Sequence, residues 1–500
     1  MFRKLSDRQV LWGGIALYTV VFGTLTALRH YHFATQAWDL GIFTQSFWNA
    51  SHGRGLINTI EQVSNHLGVH FSPILFLLVP GYAFFQALFQ EGGQYYLLIV
   101  QTLALALGAW PLFLLAKKIL SERGIVSSFW PRWVVVAYLL YPPLHALQMY
   151  DFHEVAFFVS LFLFALYFLE KRNWLWSAVF LTLSALVKED AILVVLFAGL
   201  FLLANRTASS LPPPSVSPHR KNIIAGSIVV LALIYFFLVI KVFMPAEGGG
   251  LFRIDRYANL GNTGTEIAGS IALNPLLLIQ TVATPQKATY VFWLLLPLLF
   301  LPLLSWRALI LLIPGLAENL LTNYSPQFGS EYHYDALLIP GLFLGAIYGA
   351  GFFLSRFPNR EKQLRVLFLC AILLGFLVRS PLRPTAFPTD YFRTTPREEA
   401  YRNLVRLVPP EVSVSAHTNL VPHLANRAKI YFAGFEPELS DIALLNTEDL
   451  FGFASAEAMN IYITRYEKSG QYNLYVFDDR YVVLVNKKLK VVGLPAEAKQ

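Results

Sequence analysis

The sequence predicts a mainly α-helical, polytopic membrane domain followed by a small α/β domain. Three observations carry that expectation. Hydrophobic residues make up 55% of the 500-residue chain and charged residues only 14%, with a mean hydropathy of +0.50, whereas a soluble domain carries nearer a quarter charged residues. The apolar residues fall in blocks about as long as a bilayer span. From about Ser380 the composition changes, as charges return and short alternating runs replace the blocks. Residues 1–380 are therefore expected to form the membrane domain and residues 381–500 a separate one.

Clear apolar runs begin near Val10, Tyr95, Trp133, Val155, Trp174, Ile192, Ile223, Tyr290, Leu309, Ala336 and Leu364, which predicts about eleven spans. The segment "MFRKLSDRQV" ahead of the first run resembles a signal-peptide n-region. No small-residue cleavage site follows it, so the first run reads as an uncleaved helix. One more run, "FSPILFLLVPGYAFFQALF" (71–89), has the length of a short span but contains Pro73 and Pro80.

Basic residues arbitrate. With a cytoplasmic N-terminus and 71–89 not crossing, "KKILSERG", "EKRNW", "NRTASSLPPPSVSPHRK" and "SRFPNREKQLR" all face the cytoplasm, as the positive-inside rule requires. If 71–89 crosses, every later loop inverts and the bias is lost. The segment is thus expected to be a re-entrant or amphipathic interface helix within an outer loop over 29–93. Residues 205–221 read as a flexible cytoplasmic loop because of "LPPPSVSPH".

An odd number of spans places the C-terminal domain outside the cytoplasmic membrane. Its strand-like runs are "VSVSAH", "KIYFAG", "DIALLN", "YNLYVF" and "YVVLVN", its helical ones "PREEAYRNLVRLV" and "SAEAMNIYITRYEK", and "FDDR" reads as a hairpin turn.

The formal charge of +8 is accounted for by these topological loops and gives no reason to expect nucleic acid. Cys370, the only cysteine, lies in an apolar run, which excludes a disulfide framework and a cysteine metal site. No GxSxG, Walker A, or GxGxxG preceding a helix occurs.

The topology, set by basic residues alone, also sorts the acids and histidines, most of which fall on the outer side. Acids contribute little to topology themselves, so the clustering points to an outward-facing polar site. Asp39, in "HYHFATQAWDLGIFTQSFWNASHG", opens a stretch of helical spacing and is placed to cap it or to act as a carboxylate at the head of the outer loop. His66 and His70 in "NHLGVHF" are i, i+4 neighbours, a spacing that suits a metal on one helix face, although the glutamate of a metalloprotease HExxH is missing. In "QMYDFHE", Asp151 and Glu154 are i, i+3 neighbours if helical, with His153 between them able to orient a carboxylate or contact phosphate.

In "VKEDA", Lys188, Glu189 and Asp190 stand between two apolar runs, where each charge costs roughly 2.5–3.5 kcal/mol on insertion scales. Three together imply mutual pairing or a polar cavity. Arg253 and Arg256 in "FRIDRY" have the chemistry to grip a diphosphate, and "GSEYHYDA" contributes His333. Against these readings stand polar turns and wet interfaces, which need no chemistry.

Taken together, "WDLGIFTQSFWN", "VHFSPILFLLVPGYAFF", "LLIVQTLALALGAWPLFLLAKK", "DFHE", "VKED" and "SVSAHTNLVPHLANRAKIYFA" resemble a family of multi-spanning prokaryotic membrane proteins, domain of unknown function 2079. More distantly, and by architecture, the chain is similar to the GT-C class of integral membrane glycosyltransferases. That resemblance implies an acid in the first outer loop, interface helices, a polyprenyl-phosphate sugar donor and an outer C-terminal domain. Asp39 takes the matching position. Leu40 follows it, where many members of the class carry a second acid.

The expected function is transfer of a sugar from a polyprenyl-phosphate donor to a glycan, lipid or protein acceptor outside the cytoplasmic membrane. Asp39, Asp151 and Glu154 are the expected catalytic carboxylates. His153, Lys188, Glu189, Asp190, Arg253, Arg256 and His333 are expected to bind substrate. A divalent metal ion is a candidate cofactor, with His66 and His70 as ligands. The rival is a transporter or flippase for a lipid-linked or small polar substrate. It would need polar groups along a path through the bilayer, and the sequence concentrates them at one end.

Overall fold

A computed structural model describes residues 6–204 and 218–491. The basic start of the N-terminal segment (1–5) and most of the expected cytoplasmic loop (205–217) lie outside the described residues.

The chain is mainly helical, with one small sheet near its C-terminus. Among the described residues four helices are long and apolar enough to cross a membrane: Asp7–Tyr31, Gly92–Ser121, His219–Ala246 and Ile339–Arg356. A bent pair, Gly264–Leu273 and Pro275–Val282, makes a fifth if its 101° elbow is counted within one span.

Eleven full-length spans are therefore not found, for two physical reasons. Several runs fold as helices of only 16, 12 and 14 residues, namely Val155–Glu170, Trp174–Ala185 and Ala191–Ala204. At about 1.5 Å per residue these fall short of a hydrocarbon core of about 30 Å. Proline breaks others. The run from Trp133 divides into Phe129–Leu139 and Pro142–Met149, and the runs from Tyr290 and Leu309 become short α and 3-10 turns at Pro297, Pro302 and Pro314.

Residues 71–89 form a 3-10 turn, Pro73–Leu77, and a ten-residue helix, Val79–Leu88, too short to cross. Phe76, Leu77, Phe84, Phe85, Leu88 and Phe89 are exposed along it, as an element lying against lipid requires. Its anchor is Tyr82, fully buried, whose hydroxyl donates to Asn426 Oδ1 (2.6 Å) and lies 3.2 Å from the Thr44 carbonyl. A second tie joins the first loop to residues 247–250. The Gly250 N–H donates to the Gly68 carbonyl at 3.0 Å, and a Cβ on Gly249 would lie 1.8 Å from that carbonyl oxygen. Only glycine permits this approach.

The C-terminal sheet has the order β2-β1-β3-β5-β4, with β1 Val414–Ala416, β2 Ile430–Phe432, β3 Ile442–Asn446, β4 Tyr472–Phe477 and β5 Tyr481–Asn486. β1 runs parallel to β2 and β3, whereas β5 runs antiparallel to β3 and β4. All five expected strands are present, as are the two expected helices, Pro396–Leu407 and Ala456–Lys468. The hairpin turn lies at "FDDR", with Asp478 and Asp479 both at positive φ (51° and 53°).

Alternation along the strands builds two cores. Val414, Ile442, Leu444, Val483 and Val485 pack with Tyr401 and Leu404, and Ala443, Leu445, Val482 and Leu484 pack with Tyr462 and Tyr466. The first core also takes in Phe33 and Ala37 from the first loop. The docking is polar as well. Gln45 donates to the carbonyls of Arg427 (3.3 Å) and Ala428 (3.0 Å), Ala37 N–H donates to Thr418 Oγ1 (3.1 Å), and Asn419 donates to the Thr35 carbonyl (3.2 Å). The sheet domain therefore sits on the loop that carries Asp39.

Candidate active site

The corner at "QMYDFHE" is where helix Pro142–Met149 ends and helix Val155–Glu170 begins. Asp151 and Glu154 are not helical neighbours, because residues 150–153 are not helical. Asp151 is 1% exposed and pairs with Arg29 at 3.0 Å. Arg29, at the end of the first span, also donates to the carbonyls of Met149 (2.7 Å) and Ala34 (2.9 Å). The second Asp151 oxygen accepts the Gln36 N–H at 2.8 Å. One buried ion pair thus bolts the corner to the start of the first loop.

That clamp positions Asp39. The residue lies inside a π-turn, Ala37–Gly41, that leads into helix Ile42–Ser51. It does not cap the helix. Its Oδ1 instead lies 3.0 Å from His153 Nε2. The His153 backbone N–H donates to Gln101 Oε1 at 2.7 Å, which holds the ring in place. Burial works against protonating His153, but the hydrogen bond and charge of Asp39 outweigh it and raise its pKa above the usual histidine value. The ring stacks on His333 at 3.9 Å and on Tyr150 at 5.4 Å. Burial and the neighbouring His153 cation keep His333 neutral, well below the usual range.

A second group adjoins the first. Glu154 is 2% exposed and has one carboxylate oxygen without a hydrogen bond. It lies close enough to His66, His70 and Lys188 for its charge to favour their protonation. Lys188 Nζ pairs with Asp190 at 3.0 Å. Burial opposes its charge, but Asp190, Glu189 and Glu154 overcome this and raise its pKa, so it stays cationic. Glu189 accepts from His70 Nδ1 (2.9 Å) and from the Phe71 N–H (2.9 Å). Burial and Lys188 push His70 down to about 3, so it donates to Glu189 as a neutral imidazole.

His66 behaves differently. Burial disfavours its cation, but Glu61 at 3.0 Å more than compensates and its pKa rises. The helix His66–Val69 stops before His70, which is extended, so the two imidazoles do not share a helix face. They address separate carboxylates, with ring centroids 5.9 Å apart.

Arg256 lies over Tyr324 (4.2 Å) and Tyr334 (5.5 Å), with Gln327 at 3.4 Å, and makes no ion pair among the described residues. Its charge reaches His333 and Glu318. Arg253, on the same 3-10 turn, is exposed.

The chain from Asp39 through His153 and His333 to Lys188, Glu154, His70 and Glu189 is thus continuous by contact or close electrostatic range. The family model for this sequence type matches residues 29–483. The chain belongs to the family of predicted membrane proteins DUF2079. No curated protein matches this DUF2079 member by sequence. Among solved structures it is similar to the Archaeoglobus fulgidus oligosaccharyltransferase, crystallised with zinc and sulfate. The two share 10% identity at a TM-score of 0.46, over 96% of this chain and 75% of that one.

Several residues of the DUF2079 site escape a reading by motif. Arg29 is basic at the expected outer end of the first span, against the positive-inside trend, and that exception is a usable signal of a buried partner. Gln101, inside the apolar run of Gly92–Ser121, is fully buried, and a lone amide in such a run asks for a partner. Glu61 and Tyr150 give no comparable signal.

Proposed function

We propose that this chain is a GT-C-like membrane glycosyltransferase that moves a sugar from a polyprenyl-phosphate donor to an acceptor hydroxyl on the outer side of the cytoplasmic membrane. The observation that carries the reading is Asp39, held at 3.0 Å by buried His153, whose ring stacks on His333, a residue within range of the Lys188 and Arg256 charges.

In this reading Asp39 accepts the proton of the acceptor hydroxyl as its oxygen attacks the anomeric carbon. The bond from that carbon to the phosphate oxygen breaks, with inversion, and the electron pair leaves on the lipid phosphate. Arg256 meets that charge, because it makes no ion pair among the described residues, and Lys188 supports it. His153 orients Asp39 and balances its charge. Asp151 positions rather than reacts, since both its oxygens are already engaged with Arg29 and Gln36. Glu154, Glu189, Asp190, His333 and Arg253 line the sugar and phosphate subsites.

No group of three donor atoms gathers at Asp39 among the described residues, so the reading assigns the proton transfer to the carboxylate itself.

Purified protein in proteoliposomes, given a radiolabelled polyprenyl-phosphate sugar and extracted membrane glycans, lipids and proteins as acceptors, tests the proposal. Label should move to an acceptor with wild type and not with Asp39→Asn. Movement of intact donor across the bilayer without transfer would instead support the flippase reading.

A further inference from the structure

A second cluster of chemistry-bearing side chains lies apart from the Asp39–His153 pair, where three separate parts of the chain meet. His30 ends the first span, Glu91 precedes helix Gly92–Ser121, and His423 belongs to the short helix Val421–Leu424 of the sheet domain. The Glu91 carboxylate lies between the two histidines, 2.8 Å from His423 Nδ1 and 3.6 Å from His30 Nε2. One donor atom from each residue lies within 4.8 Å of the others. The imidazoles are stacked, 4.2 Å apart and 2° from parallel, and walled by Tyr95 and Phe33.

Both histidines are buried, and the Nε2 atom of each has no hydrogen-bond partner. An unmet buried polar atom costs about 1–3 kcal/mol, and His30 Nε2, which faces Glu91 beyond hydrogen-bond distance, calls for a ligand there. His30 is prepared for one. Its Nδ1 lies 2.9 Å from Thr35 Oγ1, and donation there leaves Nε2 as a lone pair facing Glu91. Ligating histidines are commonly oriented by such a bond from the other ring nitrogen.

We propose that His30, Glu91 and His423 bind one transition-metal ion of the zinc type, which pins the sheet domain to the membrane domain. Two imidazoles and one carboxylate are a zinc-like donor set, whereas magnesium and calcium prefer oxygen alone. Tetrahedral coordination at about 2.0–2.1 Å sets donors roughly 3.4 Å apart. The present spacings, all within 4.8 Å, close to that value when the ion binds. A water completes the fourth position.

The test uses the full chain in detergent, stripped with chelator and dialysed against Zn2+ or Mg2+, with bound metal counted by mass spectrometry. About one Zn2+ per chain and no retained Mg2+ are expected. His423→Ala and Glu91→Gln remove direct ligands and should weaken Zn2+ binding by more than the about 10- to 100-fold that loss of an outer-shell partner costs. His52→Ala, at an exposed histidine, should leave binding unchanged. Loading wild type with Co2+ gives a readout that needs no variant: visible d–d bands should appear and vanish on adding Zn2+. Absence of retained Zn2+ in wild type, absence of those bands, or equal retention by the His423 and Glu91 variants would each overturn the proposal.

Discussion

Replacing Arg29 by methionine is the sharpest test of how the site is held together. The substitution keeps much of the side chain's length and removes its charge. It leaves Asp151, 1% exposed, with only the Gln36 N–H at 2.8 Å as a partner. It also strips the Met149 and Ala34 carbonyls of their donors. Removing one member of a buried ion pair typically costs about 3–5 kcal/mol, because the remaining charge is stranded. Replacing both members by apolar groups is often close to neutral.

Arg29→Met should therefore be strongly destabilising, Asp151→Leu similarly so, and the double variant milder than either single one. Fluorescence-detected size-exclusion chromatography of protein heated in detergent ranks the four forms, and a double-mutant cycle extracts the coupling. If the two single losses simply add in the double variant, Arg29 and Asp151 are not coupled and the clamp described here is wrong.

Other outcomes follow from the same geometry. Asp39→Asn should lower transfer in proteoliposomes by about 10²- to 10⁴-fold, the usual span for loss of a general base, and His153→Gln should lower it less while leaving donor binding intact. Glu61 raises the pKa of His66, so their pairing contributes stability in full below about pH 6.5 and loses it as pH rises through the raised value; thermal stability followed from pH 6 to 9 should decline more for wild type than for Glu61→Gln. Gly249→Ala puts a Cβ 1.8 Å from the Gly68 carbonyl oxygen and should cost about 1–3 kcal/mol as an overpacked contact, seen as a lower unfolding midpoint. In a Cys370→Ser background, a cysteine at exposed Glu122 should react with impermeant maleimide only from the cytoplasmic side, and one at exposed Lys468 only from outside; the reverse pattern would remove the topology on which an outward-facing site depends.

Much of the architecture was legible in the sequence because it rests on local rules. The five strands are short alternating runs, and in the sheet that alternation fills two separate cores. Helix Pro396–Leu407 is announced by a capping box at Thr395 with proline at its first position. Residues 71–89 carry two prolines, and they stay a 3-10 turn and a short helix. Eleven continuous spans are not found for a related reason: hydropathy measures how apolar a run is and not whether its backbone stays helical, and Pro142, Pro297, Pro302 and Pro314 interrupt helices within apolar runs.

Composition and residue type by themselves determined that the chain is a mainly helical membrane protein, that a small α/β unit follows, and that "DFHE" and "VKED" are polar corners. Which carboxylate is clamped and which is poised was decided only in three dimensions. Asp151 and Asp39 look alike along the chain. One is engaged by Arg29, 122 residues earlier, and the other by His153, 114 residues later. Such pairings depend on where the ends of separate helices meet, and that position is set by packing across the whole membrane domain and by the sheet domain seated on the first loop. No local pattern encodes it, because burial, distance and charge act through space and not along the sequence.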